Sequence, residues 1–73
     1  MGITSQEAVI LKHLREHGSI SQREAYEQYG IMRLAARIAR LRGYGNTISA
    51  VMEYGENRFG QDVRYARYYL EEA

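Results

Sequence analysis

The spacing of apolar residues changes once along this chain, between Gly43 and Thr47, and that change limits what the chain can fold into. Before it, apolar side chains recur at steps of three and four, the period of a half-buried helix. After it, Thr47 to Tyr54 and Val63 to Leu70 are β-branched and aromatic runs, the composition of strands. A chain that is helical first and stranded last keeps its two kinds of structure apart, so the expected fold class is α+β.

Three helices fit the first part. Ser5 is a candidate N-cap for a helix over about 5–17, with Ala8, Leu11 and Leu14 on its apolar face and Ile10 beside them. Gly18 is the stop, because Gly enters the left-handed region without strain. Ser19 and Ile20 read as a short extended link. Ser21-Gln22-Arg23-Glu24 matches a capping box and opens a second helix over about 22–29, with Ala25, Tyr26 and Tyr29 on its buried side. Gly30 makes the turn and Ile31 drops into the core. A third helix over about 32–42 carries Leu34, Ile38 and Leu41 on one face, and Gly43-Tyr44-Gly45 ends it. No Pro follows this helix, and the path through Tyr44 to Thr47 into the strands is open.

The two strands flank a polar loop from Gly55 to Asp62 and predict a β-hairpin over about 47–70. In its second strand Ala66, Tyr68 and Leu70 are expected inward, because that set carries no charge. Helix, helix, turn, helix, hairpin is the order of a winged helix: a three-helix helix-turn-helix core with a C-terminal β-hairpin wing, one domain over 1–73.

The length of 73 residues allows one domain and leaves little material for a catalytic cleft beside a core. Cys is absent, which excludes a disulfide framework and a thiolate metal site. The longest apolar runs are too short to span a bilayer. The opening MGITSQEA lacks the basic and apolar regions of a secretory signal, so the expected location is cytoplasmic, with no membrane partner. His13-Leu14-Arg15-Glu16-His17 has the H-x-x-E-H spacing of some zinc peptidases, but no third ligand accompanies it, and it reads as a helix face. Gly43 and Gly45 lack the continuation of a nucleotide loop. No Ser/His/Asp arrangement is present. The expectation is a protein that is not an enzyme and uses no metal or cofactor.

The formal net charge of +1 hides an asymmetry. Residues 1–32 are slightly acidic, residues 33–67 hold seven Arg against three carboxylates, and Glu71 and Glu72 close the chain. Arg offers a planar fork of donors that suits phosphate and guanine edges. At 100° per residue, Arg33, Arg37 and Arg40 fall within about 60° of one another on the third helix. Ala36 lies among them and is small enough for close approach to a partner.

The major groove of duplex DNA admits one helix. Arg33, at the N-terminal end, is the candidate base contact, and Arg40 and Arg42 are candidates for phosphate. In the wing, Asn57 and Arg58 suit an adjacent groove or the backbone, and Arg64 and Arg67 suit the backbone from the hairpin stem. Each has a structural alternative. Arg37 can pair with Glu24 or Glu27 and brace the motif, Arg33 and Arg40 can be purely solvated, and Arg64 and Arg67 can be cross-strand charge partners. The clustered Tyr65, Tyr68 and Tyr69 can pack, or stack the bases of a single strand.

Double-stranded DNA is therefore the expected partner, for a regulator or DNA accessory protein. A second function class fits the same fold: an inhibitor or adaptor docking on a host enzyme or defence complex through the Tyr-rich hairpin. No dedicated dimer helix is visible, so a monomer or weak homodimer is expected.

The stretches ILKHLREHGSISQREAYEQYGI, RLAARIARLRGYG, NRFG and VRYARYYL resemble a family of small helix-turn-helix domains common in bacteriophage and prophage genomes. Gly30-Ile31 followed by Arg33-Leu34-Ala35-Ala36-Arg37-Ile38 is the more specific part, and Ala66-Arg67-Tyr68 is similar to the family's ending. The resemblance covers about four fifths of the chain and implies DNA binding, and a bacterial host cell if the origin is a phage. The chain departs from many helix-turn-helix units in its five-residue step from Ala25 to Gly30.

Overall fold

The computed structural model describes residues 4–71, so Glu72 of the charge balance lies outside it. Helix α1 spans Ser5–His17, strand β1 Ser19–Ser21, α2 Gln22–Tyr29, α3 Leu34–Gly43, β2 Ile48–Glu56 and β3 Asp62–Leu70. The sheet is antiparallel in the order β1-β3-β2. The hairpin is as expected, but the Ser19–Ile20 link is a true strand, pairing Ser19 with Tyr69 and Ser21 with Arg67. Nothing local marks it as one, because its partner strand lies nearly fifty residues on.

The cap of α1 is Thr4, not Ser5. Thr4 accepts from the Glu7 backbone N–H at 3.3 Å, and the Glu7 carboxylate accepts from the Thr4 N–H at 3.0 Å. Ser21 and Glu24 repeat the same box at α2, as expected. Gly18 and Gly30 both end their helices with positive φ, at 89° and 70°.

The buried stripe of α1 is Glu7, Ile10, Leu11 and Leu14, with His13 beside it. Ala8, expected inward, is exposed. The i, i+3, i+4, i+7 pattern therefore begins on a carboxylate, which a search for apolar positions passes over. The core is formed by this stripe with Ile20, Ala25, Ile31, Leu34, Ile38, Leu41 and Ile48, and Tyr68 and Leu70 pack against it. Tyr26 and Tyr29 were expected to be buried but stay exposed, because two turns of helix bury one narrow face and Ala25 occupies it.

Tyr29 instead places its hydroxyl 2.7 Å from Nδ1 of the buried His13. Burial pushes the His13 pKa below its usual 6.5, and the neighbouring His17 adds to this. The unfolded chain therefore takes up the proton first, and stability is lost as the pH falls below about 6.5 toward the lower folded value. Thermal melting followed from pH 7.5 to 5.5 should show this decline, and His13→Gln should flatten it.

The helix-turn-helix angle is held by Gln22. Its Nε2 donates to the Ile31 carbonyl at 2.7 Å, and its Oε1 accepts from the Leu34 N–H at 2.8 Å. Helix α3 begins at Leu34 rather than Met32, and its N-cap residue, Arg33, makes no side-chain cap. Gln22 thus satisfies one of the first-turn N–H groups that a helix leaves without an intrahelical partner. Gln22→Ala should cost about 1–2 kcal/mol, readable in a urea midpoint, with α1 unaffected in local hydrogen exchange.

At the other end of α3, Asn46 Nδ2 donates to the Leu41 carbonyl at 2.9 Å. Gly45 has a φ of 97°. This side-chain cap and left-handed glycine turn the chain into β2 with no Pro.

Candidate nucleic-acid interface

Helix α3 buries Leu34, Ile38 and Leu41, which leaves Ala35, Ala36, Ala39 and Gly43 on its outer surface. Small side chains along this ridge allow another molecule's surface to approach the helix backbone closely. Arginines flank the ridge. Arg37 and Arg40 lie on the side toward α1, Arg42 lies on the side toward β2, and Arg33 precedes the helix as its N-cap residue.

These arginines are not equivalent. Arg40 Nε donates to Glu7 Oε2 at 2.7 Å, and Arg37 Nη1 donates to the same oxygen at 3.4 Å. The Glu7 side chain is 0% exposed, whereas those of Arg37 and Arg40 are 35% and 53% exposed. One buried carboxylate therefore holds two half-exposed guanidiniums at the edge of the ridge. The Thr4 N–H, with the hydrogen bond and charge of Arg40 and the hydrogen bond of Arg37, outweighs burial and holds the Glu7 pKa below its usual value. Arg40 also donates from Nη2 to the Tyr44 hydroxyl at 3.3 Å. The brace expected for Arg37 from Glu24 or Glu27 comes from Glu7 instead.

Arg33 is exposed, and no hydrogen bond or ion pair engages its side chain among the described residues. Two arginines on one carboxylate leave this side of α3 net positive. Arg42 serves the fold: its Nε and Nη2 both donate to the Ile48 carbonyl, at 2.9 and 2.7 Å, tying the end of α3 to the start of β2.

The wing divides in the same way. Asn57 Oδ1 accepts from the Phe59 and Gln61 N–H groups at 2.9 and 3.0 Å, and its Nδ2 donates to Gln61 Oε1 at 3.0 Å. Asn57 therefore builds the loop. Arg58 and Phe59 project from its tip, both exposed. Arg64 is exposed on the stem opposite Tyr54, and, like Arg58, its side chain has no hydrogen bond or ion pair among the described residues.

Arg67 is a strap. It donates to Glu53 Oε1 and Glu24 Oε1, each at 2.9 Å, and to Ser19 Oγ at 3.3 Å. These carboxylates raise its pKa, so it is charged at any working pH. Glu24 and Glu7 do the same job. Each is the third residue of its helix and closes a capping box, and each then anchors arginine from another element.

Neither Glu7 nor Gln22 was expected in this role. The signal for Glu7 was present as Thr4-Ser5-Gln6-Glu7, the same box as Ser21 to Glu24. No local signal marks Gln22, whose partners sit nine and twelve residues away.

Among the described residues no group of three or more His, Cys, Asp or Glu is placed to hold a metal ion, and no helix is long and apolar enough to cross a membrane. A family model described as a winged helix-turn-helix domain matches residues 5–73. A search of curated proteins finds no match.

Proposed function

The chain belongs to the winged helix-turn-helix domain family, a fold of DNA-binding modules, and from that premise we propose that it binds double-stranded DNA by laying the outer ridge of α3 in the major groove, as a regulator or accessory protein of the phage type. The observation that carries this reading is the ridge itself: Ala36 and Ala39 exposed at its crest, with the uncommitted Arg33 and the half-exposed Arg37 and Arg40 along its border. A helix enters the groove only where its own side chains leave room, and the cations there meet base edges and phosphates.

Arg33 is the base-reading residue in this scheme. Arg37 and Arg40 are pre-oriented by Glu7 and meet phosphate with the guanidinium nitrogens left over. Arg58 and Arg64 bring the wing to the adjacent backbone. Arg42, Asn57 and Arg67 support these groups from within the domain.

Binding to random duplex DNA across a salt series tests the proposal. Arg58 and Arg64 on phosphates, with Arg37 and Arg40 carrying one net charge over Glu7, give a slope of log K against log salt of about −3. Affinity that ignores salt would overturn it. Glu7→Gln gives a sharper result. Glutamine keeps the capping box but removes the charge that competes with phosphate for Arg37 and Arg40, so the slope should steepen by about 1–2. An unchanged slope would mean that those two arginines do not reach the nucleic acid.

A further inference from the structure

Strand β2 is an outer strand of the sheet along its whole length, and we infer that this edge pairs with the β2 edge of a second copy of the chain, joining two sheets into one across a twofold axis. The inference does not rest on DNA binding.

The hydrogen-bonding parity of the hairpin shows which groups face outward. At its base the Glu71 N–H donates to the Thr47 carbonyl at 2.8 Å, and at its tip the Asn57 N–H donates to the Gln61 carbonyl at 3.0 Å. Between them the register runs unbroken from Ile48 opposite Leu70 to Glu56 opposite Asp62. Bonded positions alternate along an antiparallel pair. Ser49, Val51, Glu53 and Gly55 therefore turn their backbone groups to β3, and Ile48, Ala50, Met52, Tyr54 and Glu56 turn theirs outward. Arg42 agrees with this parity, since it caps the outward carbonyl of Ile48. From Ala50 to Tyr54 the outward N–H and C=O groups have no backbone partner among the described residues.

Natural edges are usually blunted with Lys, Pro or bulges. Strand β2 has no Lys, no Pro and no break in register. Its side chains are unusually apolar for the surface, with Met52 53% and Tyr54 73% exposed.

The edge complements itself. A twofold centred on Met52 sets Met52 against the partner's Met52 and Ala50 against the partner's Tyr54, with outward groups facing outward groups. The same register brings Arg42, on the Ile48 carbonyl, to the partner's Glu56, so each end of the ladder closes on an opposite charge. A twofold centred on Glu53 would place two carboxylates side by side, which disfavours it. An isologous contact of this kind closes at two copies and does not propagate.

Sedimentation equilibrium of the chain alone, without DNA, tests the inference. The mass should double as concentration rises. Met52→Pro removes an N–H that β3 does not use, a substitution that edge positions accept, and should weaken the dimer by at least about tenfold. Met52→Lys, which keeps the N–H, should do the same through charge repulsion at the axis, and Glu56→Lys should weaken it in low salt. Circular dichroism confirms that each variant keeps its fold. A chain that stays monomeric at high concentration overturns the inference, and so does a dimer indifferent to both Met52 variants. An edge reserved for a peptide strand of another protein would give the monomer.

Discussion

Arg33→Ala is expected to weaken binding to a specific duplex by about 1–3 kcal/mol, while the melting temperature of the free domain stays within a degree or so of the parent. The two halves of this expectation have one cause. Arg33 stands at the N-terminal edge of α3, exposed, and its side chain engages nothing else among the described residues. Its fork of donors is therefore available to a guanine edge, and its removal leaves no buried group unsatisfied. Arg40→Ala differs. It takes away a guanidinium but also strips Glu7 of its shortest ion pair, so it should lower both affinity and stability, the latter in full at neutral pH and progressively less in acid as Glu7 takes up a proton. Fluorescence anisotropy with a selected duplex, alongside calorimetric melting, separates the two. Equal loss of affinity and stability in both variants would place Arg33 in the architecture and remove it from the interface.

Ile38→Ala should cost about 2–5 kcal/mol, the largest effect of a single substitution here. Ile38 is fully buried at the centre of the inner face of α3, between Leu34 and Leu41. Removing its outer methyl and methylene groups leaves a cavity under the helix that presents the ridge. A domain of this size has roughly 4–11 kcal/mol in total at 0.05–0.15 kcal/mol per residue. The variant therefore keeps between most and none of its stability, and its midpoint in urea should fall accordingly. DNA binding should be lost in proportion to the unfolded fraction and recover at low temperature if α3 itself is intact. A midpoint shifted by less than 1 kcal/mol would show that the core collapses around the gap.

Much of this was legible in the chain because it depends on neighbours in sequence. The glycine stops at Gly18 and Gly30, the box at Ser21 and Glu24, the apolar face of α3 and the hairpin each arise from spacing over a few residues. Where spacing was read through a filter for apolar residues, it failed. Glu7 begins the buried stripe of α1, and Ala8 was put in its place. The rings of Tyr26 and Tyr29 suggest burial, but a helix of eight residues has one inward face and Ala25 takes it.

Spacing over a few residues set the order and kind of the helices and of the hairpin, and composition put arginine in the second half; strand β1 needed its distant partner. The tertiary structure decided which arginines are available. A guanidinium looks the same in the sequence whether it has no partner among the described residues, as in Arg33, is shared on a buried carboxylate, as in Arg37 and Arg40, or is consumed by a backbone carbonyl, as in Arg42. The difference is made by partners 30 to 43 residues away, brought within 3.5 Å only once α1, α3 and the sheet have packed.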